Sequence, residues 1–315
     1  VNESNPEIAN SVFELADSLT ENLTSVIYGA QSAIVCTVVA ALSGQHLLLE
    51  DVPGVGKTML AKALAKSLGV DVARIQGQPD LLPSDITGVS VYDEKLKEWE
   101  FKPGPVFSHV VLCDELNRTP PRTQAALLEA MEEKQVTVDG KPWLLPIPHM
   151  VIATQNPHSQ VGTFPLVESQ TDRFGLSASL GYPSQEDEIS LAVSIGTEYA
   201  LSSLQTVSSP THWLQVQKAV AEIKVSEAVA GFAVKICRAT RVLPKVSLGA
   251  SPRAAISLMK SARAHAAMNH RDFVIPDDVI SMVPYSLSHR LVSEYQSDKV
   301  ALVLEALETV EVPSL

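Results

Sequence analysis

The chain has 315 residues, 45% hydrophobic and 19% charged, with 36 acidic side chains against 24 basic ones and a formal net charge of -12. That balance describes a globular chain with a substantial core, large enough for two domains or one big one, and excludes a disordered one. It also argues against a polyanion as the main partner, because no Lys/Arg-rich run accompanies it. Cys36, Cys113 and Cys237 are far apart and show no C-x-x-C or Cys/His ligand spacing, so they read as reduced, buried thiols. The apolar run Ala33 to Leu42 is too short to span a bilayer. A cytoplasmic location is expected, with membrane contact only through a partner.

Residues 8–23 place Ile8, Val12, Leu15 and Leu19 at helical spacing. A short extended stretch, 26–29, then leads into an apolar helix over 30–42. Ile27 and Tyr28 are candidates to touch an adenine base, the alternative being ordinary core residues. His46 to Thr58 reads HLLLEDVPGVGKT, which is a short apolar strand, a loop with Pro53, Gly54, Val55 and Gly56, and then Lys57, Thr58 and Met59 opening a helix to Leu68. This order suits phosphate. The glycines let backbone N–H groups approach a ligand, the helix presents its positive end, Lys57 adds a charge and Thr58 a hydroxyl of the kind that coordinates magnesium. The pattern is G-x-x-x-x-G-K-S/T with Asp51 in the place of the first glycine. An aspartate neither has glycine's freedom nor welcomes a phosphate, so the direction of its carboxylate decides whether the loop is intact.

A strand is expected over 72–75, then a loop over 76–88 and a hairpin-like insertion over 89–101 framed by Pro103, Gly104 and Pro105. The insertion is either a substrate contact or an inert surface hairpin. Residues 110–113 form the clearest buried strand and end in Asp114 and Glu115, at the crevice where open α/β sheets bind ligands. Asn117 and Arg118 follow, and then a helix over 122–133 opened by Pro120 and Pro121. Asp139-Gly140 marks a type I′ hairpin. A further strand, 150–153, ends in Thr154, Gln155 and Asn156, and 176–180 is one more. From Gln185 the pattern is helical: 185–195, a Ser-rich linker over 199–210, and helices near 211–223, 226–241, 251–269, 276–287 and 297–309, with Ser226 and Ser251 as N-caps. The division expected is an α/β core over 1–183, a connecting helix and linker over 184–210, and a helical lid over 211–315.

Nucleotide hydrolysis needs a phosphate cradle, a metal, a positioned water and positive charge on the γ-phosphate. The loop over 51–58 supplies the cradle. Asp114 can hold Mg²⁺, usually through water, and Glu115 can act as base toward the attacking water.

The run CDELNRTPPRTQAALLEAMEEKQVTVDG, with DLLPSDITG and FKPGPVF before it and VIATQNP, SQTDRF and GASPRA after it, resembles the MoxR family of AAA+ ATPases over nearly the whole chain. The resemblance implies a P-loop core, a parallel sheet with flanking helices, followed by a small all-helical lid. It makes Lys57 and Thr58 the Walker A pair binding ATP and Mg²⁺, Asp114 and Glu115 the Walker B pair, and Asn156 sensor 1. Arg173 becomes the arginine finger serving a neighbouring subunit, with Arg118 as a competing candidate. Arg253 becomes sensor 2, reaching the γ-phosphate of its own chain. It further implies a homo-oligomer, generally a hexameric ring, that remodels or matures a protein complex, with a von Willebrand factor A domain protein as partner. Two other readings stay open: a nucleic-acid-directed AAA+ motor, disfavoured by the acidic charge, and a slowly hydrolysing ATP-gated switch.

Overall fold

The computed structural model describes residues 6–52, 54–156, 162–193, 197–293 and 298–314. Helix α1 (Pro6–Val26) buries Val12, Leu15, Leu19 and Leu23, one stripe at helical spacing. Helix α2 (Gln31–Ser43) is buried on nearly every side, which explains its largely apolar sequence, and its buried Thr37 satisfies its hydroxyl by donating to Ala33 O at 2.6 Å. Between them the expected extended stretch is absent. Val26 still belongs to α1, and the chain turns through Gly29 at φ 70°.

Strands β1 (Leu47–Glu50), β2 (Val72–Gln76), β5 (Val110–Asp114), β8 (Met150–Gln155) and β9 (Leu176–Ala178) form one parallel sheet in the order β2-β5-β8-β1-β9. The other described strands up to this point are β3 (Gly88–Asp93) with β4 (Glu98–Pro103), and β6 (Gln135–Val138) with β7 (Lys141–Leu144). Each pair is an antiparallel hairpin, and the second turns through Asp139 and Gly140, both at positive φ as the sequence signal demands. Side chains alternate across the main sheet. Leu47, Leu49, Val110, Leu112 and Ile152 join α1, α2 and α3 (Lys57–Leu68) in one cluster, whereas Leu48, Val111, Cys113, Val151 and Ala153 face α5 (Pro121–Glu133) in another. The region expected as loop before β3 contains a short helix, α4 (Pro83–Thr87), with Pro83 at its first position and Asp85 accepting from the Leu82 N–H.

After the short α6 (Glu168–Thr171) and β9 the chain is helical: α7 (Gln185–Val193), α8 (Thr197–Ser203), α9 (Pro210–Ala221), α10 (Glu227–Ala239), α11 (Pro252–Met268), α12 (Pro276–Leu287) and α13 (Lys299–Glu308). A ribbon of β10 (Val246–Leu248) and β11 (Val292–Ser293) joins two lid segments. Ser226 and Ser251 cap α10 and α11, accepting from the N–H groups of Val229 and Ala254 at 3.2 Å each.

The expected linker over 199–210 is not free chain. Its first part is helix α8, whose terminal carbonyls Leu201 O and Ser202 O accept from Lys66 Nζ at 2.8 and 2.7 Å. A cation at exposed C-terminal carbonyls is favourable, and it straps this segment to α3. The lid is likewise fastened: the buried Trp213 indole and the Gln217 amide both donate to Ala41 O at 2.8 Å. Among the described residues no helix is long and apolar enough to cross a membrane.

Candidate active site

Lys57 begins α3 directly after Gly56, whose φ of 100° is a conformation a side chain would strain. No side chain caps the helix, so its first N–H groups remain available to an anion. Val55 and Met59 pack against the core and hold the loop from behind. Lys57 Nζ donates back to Asp51 O and Val52 O, 3.2 Å each. Pro53 lies outside the described residues. The Asp51 carboxylate is buried and accepts from the Ser179 hydroxyl at 2.7 Å, the Leu180 N–H at 2.6 Å and the Gly181 N–H at 3.1 Å. It therefore faces the end of β9, not the phosphate side, and moors the loop to its neighbouring strand.

Gly54, Gly56, Lys57, Thr58, Arg74, Gln76, Asp114, Glu115 and Asn156 line a cavity of about 270 Å³. The parallel register places Gln76 opposite Asp114, with Arg74 two residues back on the same face. Arg74 donates to Asp114 Oδ2 through Nε at 3.0 Å and Nη2 at 2.8 Å, and Nη2 also reaches Gln76 Oε1 at 2.8 Å. The Thr154 hydroxyl donates to Asp114 Oδ1 at 3.1 Å and accepts from the Glu115 N–H at 2.8 Å. Glu115 adopts a left-handed backbone, φ 55°, and its carboxylate accepts from Gln76 at 3.3 Å and pairs with Arg118 at 3.3 Å. Gly77 makes room for this turn, since a Cβ there would lie 2.2 Å from Glu115 O. Asn156 is held through its carbonyl, which accepts from Asn117 Nδ2 at 3.4 Å.

The donor set suits a magnesium nucleotide. Thr58 and Asp114 offer hard oxygen ligands beside a free helix N-terminus and a lysine, and the described residues contain no closed cluster of His, Cys, Asp and Glu that would hold a metal by itself.

Arg173 and Arg253 are not in this cavity. Both rest on Glu132 of α5: Arg173 Nη2 at 3.1 Å from Oε2, and Arg253 Nη2 at 2.7 Å from Oε1. Arg173 also donates to Leu128 O at 2.7 Å. Arg253, expected to reach the nucleotide of its own chain, rests here on Glu132 and does not line the Lys57 cavity. The lid packs on α2, and Arg253 at the start of α11 shares Glu132 with Arg173. Arg118 pairs with Glu115 of its own chain and does not join that pair. Ile27 is a core residue, Tyr28 is half-buried, and neither lines the cavity.

Arg74, Gln76, Thr154, Gly77 and Glu132 were not singled out from the sequence. Arg74 and Gln76 do carry a local signal, two polar side chains on one face of a strand in a parallel sheet.

Residues 46–176 match the family model described as ATPase family associated with various cellular activities (AAA), and residues 238–307 match the AAA lid domain. An uncharacterized protein, YeaC, of Bacillus subtilis is 43% identical over 95% of this chain and 95% of its own length. Chaperone MoxR1 of Mycobacterium tuberculosis is 36% identical over 92% of this chain and 80% of its own. Protein MoxR of Paracoccus denitrificans is 29% identical over 93% of this chain and 94% of its own. A crystal structure from Cytophaga hutchinsonii, provisionally named an ATPase, superposes with a TM-score of 0.89 at 33% identity, over 98% of both chains. A phosphate-type loop, two acids at a strand end and a helical lid in this arrangement, with these relatives, place the chain in the MoxR family of AAA+ ATPases.

Proposed function

We propose that this protein couples magnesium-dependent ATP hydrolysis to chaperone-like remodelling of a protein complex, working as a ring of identical subunits. The observation that carries the reading is the division of the charges: one cavity gathers Lys57, Thr58, Asp114, Glu115 and Asn156, while Arg173 and Arg253 meet on a separate, partly exposed face at Glu132. A hydrolytic site lacking those positive charges is finished by a neighbour.

Lys57, the loop N–H groups and the start of α3 bind the phosphates. Thr58 and Asp114 hold magnesium, which when bound neutralises charge across the phosphate oxygens. Glu115 takes the proton of the attacking water and Asn156 orients that water or the γ-phosphate. Arg173 and Arg253 together approach the neighbouring subunit's γ-phosphate, exchanging Glu132 for a more highly charged partner. A hexameric ring in the cytoplasm and a partner with a von Willebrand factor A domain complete the reading. It predicts nucleotide-dependent assembly and ATP turnover that is lost in Glu115→Gln. A wild-type rate no higher than that of Glu115→Gln would favour instead the slow ATP-gated switch, a reading supported by Arg74, Gln76 and Arg118 holding both acids.

A further inference from the structure

We propose that Arg290, buried where lid meets core, is the positioning residue that sets Arg173 and Arg253 in one common geometry. The inference rests on the reading that Arg173 serves a neighbouring subunit.

The Arg290 side chain is 2% exposed, in the helical turn that follows α12. Nε donates to Ser286 O at 2.8 Å, in the last turn of α12 just before it. The other two nitrogens leave the lid. Nη1 donates to Asp172 O at 3.1 Å and to the Asp172 carboxylate, and Nη2 donates to Phe174 O at 2.7 Å. The carbonyls on both sides of Arg173 are thus held by one guanidinium. His289 Nε2 adds a second donor to Phe174 O at 3.0 Å.

The Asp172 carboxylate has a further partner. It accepts from the Ser251 hydroxyl at 3.1 and 3.2 Å, and that hydroxyl also caps α11, accepting from the Ala254 N–H. Arg253 is the second residue of α11. One candidate cation is therefore fixed to Asp172 through the chain on the core side, and the other through the N-cap on the lid side. The backbone at neither position can shift far without breaking a bond to the Arg290–Asp172 pair.

Packing alone does not account for the arrangement, because burying an ion pair is a poor source of stability and an apolar pair of equal volume would serve as well or better. A planar guanidinium provides what the geometry uses: donors fanned in one plane to acceptors on three separate residues. A lysine keeps the charge toward Asp172 but cannot hold Ser286 O, Asp172 and Phe174 O in these directions. The pair also ties the angle of the lid to the placement of Arg173, so a lid displaced by a client or by nucleotide would withdraw both arginines together.

The test separates donation from binding. Subunits with Arg173→Ala hydrolyse only if a neighbour supplies the arginine, and subunits with Lys57→Ala can supply it without turning over ATP themselves. Mixing the two restores activity if the underlying reading holds. If that mixture stays inactive, the trans reading fails and this inference with it. Adding Arg290→Lys to the Lys57→Ala donor is expected to cut the restored rate at least about tenfold, while the single Arg290→Lys protein keeps its affinity for a fluorescent ATP analogue within about twofold, since Arg290 is not in the Lys57 cavity. Undiminished donation by the Arg290→Lys donor overturns the inference, as does loss of donation and of nucleotide affinity in equal measure. Ser251→Ala in the donor provides a second, milder probe that leaves Arg290 in place. A several-fold loss of donation supports the linkage, and wild-type donation overturns it even if the Arg290 variant fails to fold.

Discussion

Arg74 and Asp114 are joined through a single carboxylate oxygen, with Nε and Nη2 of the arginine 3.0 and 2.8 Å from Oδ2. The other oxygen accepts from Thr154, so both oxygens of Asp114 are engaged in this conformation. A guanidinium thus sits at the ligand that a metal-bound water would use, and the two cations compete. Because the arginine is half-exposed, solvent screens the pair and its worth is about 1 kcal/mol or less. Arg74→Gln should therefore lower the Mg²⁺ concentration that half-saturates nucleotide binding by about two- to fivefold. Titrating Mg²⁺ against a fluorescent ATP analogue in the Glu115→Gln background measures this without turnover. A raised requirement would mean that Arg74 supports the metal site instead of competing with it.

Asp51→Gly recreates the glycine of the common loop pattern, yet it should weaken the protein. It removes a carboxylate that satisfies the N–H groups of Leu180 and Gly181 and the hydroxyl of Ser179 in a buried place. Charge-assisted hydrogen bonds and stranded donors make the expected loss about 3 kcal/mol. Denaturant unfolding reads that loss directly, and nucleotide affinity should fall, not rise, as the loop loses its mooring. Unchanged stability would show that the aspartate is dispensable and the pattern position neutral.

These two residues mark the boundary of what local sequence conveys. The run from Leu47 to Leu68 announces strand, loop and helix because each part depends on neighbours in the chain: apolar alternation, glycines at turns, helix formers after them. The acids at 114 and 115 are legible for the same reason, as the end of a short apolar strand. The local polar pair Arg74 and Gln76 gains its partner Asp114 through strand order, which sets β2 beside β5 and in this register. The direction of the Asp51 carboxylate depends on β9, more than a hundred residues later, closing the sheet next to β1. The resting place of Arg253 on Glu132 follows from how the lid packs on α2, a tertiary fact that no periodicity encodes. The Ser-rich linker misled for a related reason: Lys66, far away in sequence, supplies the donors that hold α8.

Arg253→Ala should behave like Arg173→Ala. Since both arginines share Glu132 and lie outside the Lys57 cavity, the substitution should leave ATP affinity within about twofold and reduce hydrolysis in the proposed assembly by about ten- to a thousandfold. Subunits with Arg253→Ala should hydrolyse when their neighbours carry the intact residue. A cis role predicts the opposite: weakened binding in the variant's own site and no rescue by wild-type neighbours. Equilibrium binding and mixed-ring kinetics together decide between them.

Acid should destabilise the fold well above the usual carboxylate range. His149 and His289 are buried, each donating Nε2–H to a carbonyl, Val106 O and Phe174 O respectively, while neither Nδ1 has a partner. Burial pushes their pKa values down to about 4 and about 3, with the charge of Arg290 adding to the effect at His289. Unfolded, both would titrate near 6.5. Below that pH the unfolded chain binds protons that the folded one refuses, so stability is complete above about pH 7 and falls as the pH drops, until the folded-state values are reached. Each histidine contributes about 1.4 kcal/mol of loss between pH 7.5 and 5.5, or about 3 kcal/mol for the pair. Because burial likewise pushes His46 down to about 3 and adds its own loss, the pair's share is read as the difference in urea unfolding between wild type and His149→Gln with His289→Gln at the two pH values. A pH-independent midpoint across this range would mean that the two rings accept protons in the folded state, and that the lid–core junction around Arg290 tolerates another positive charge.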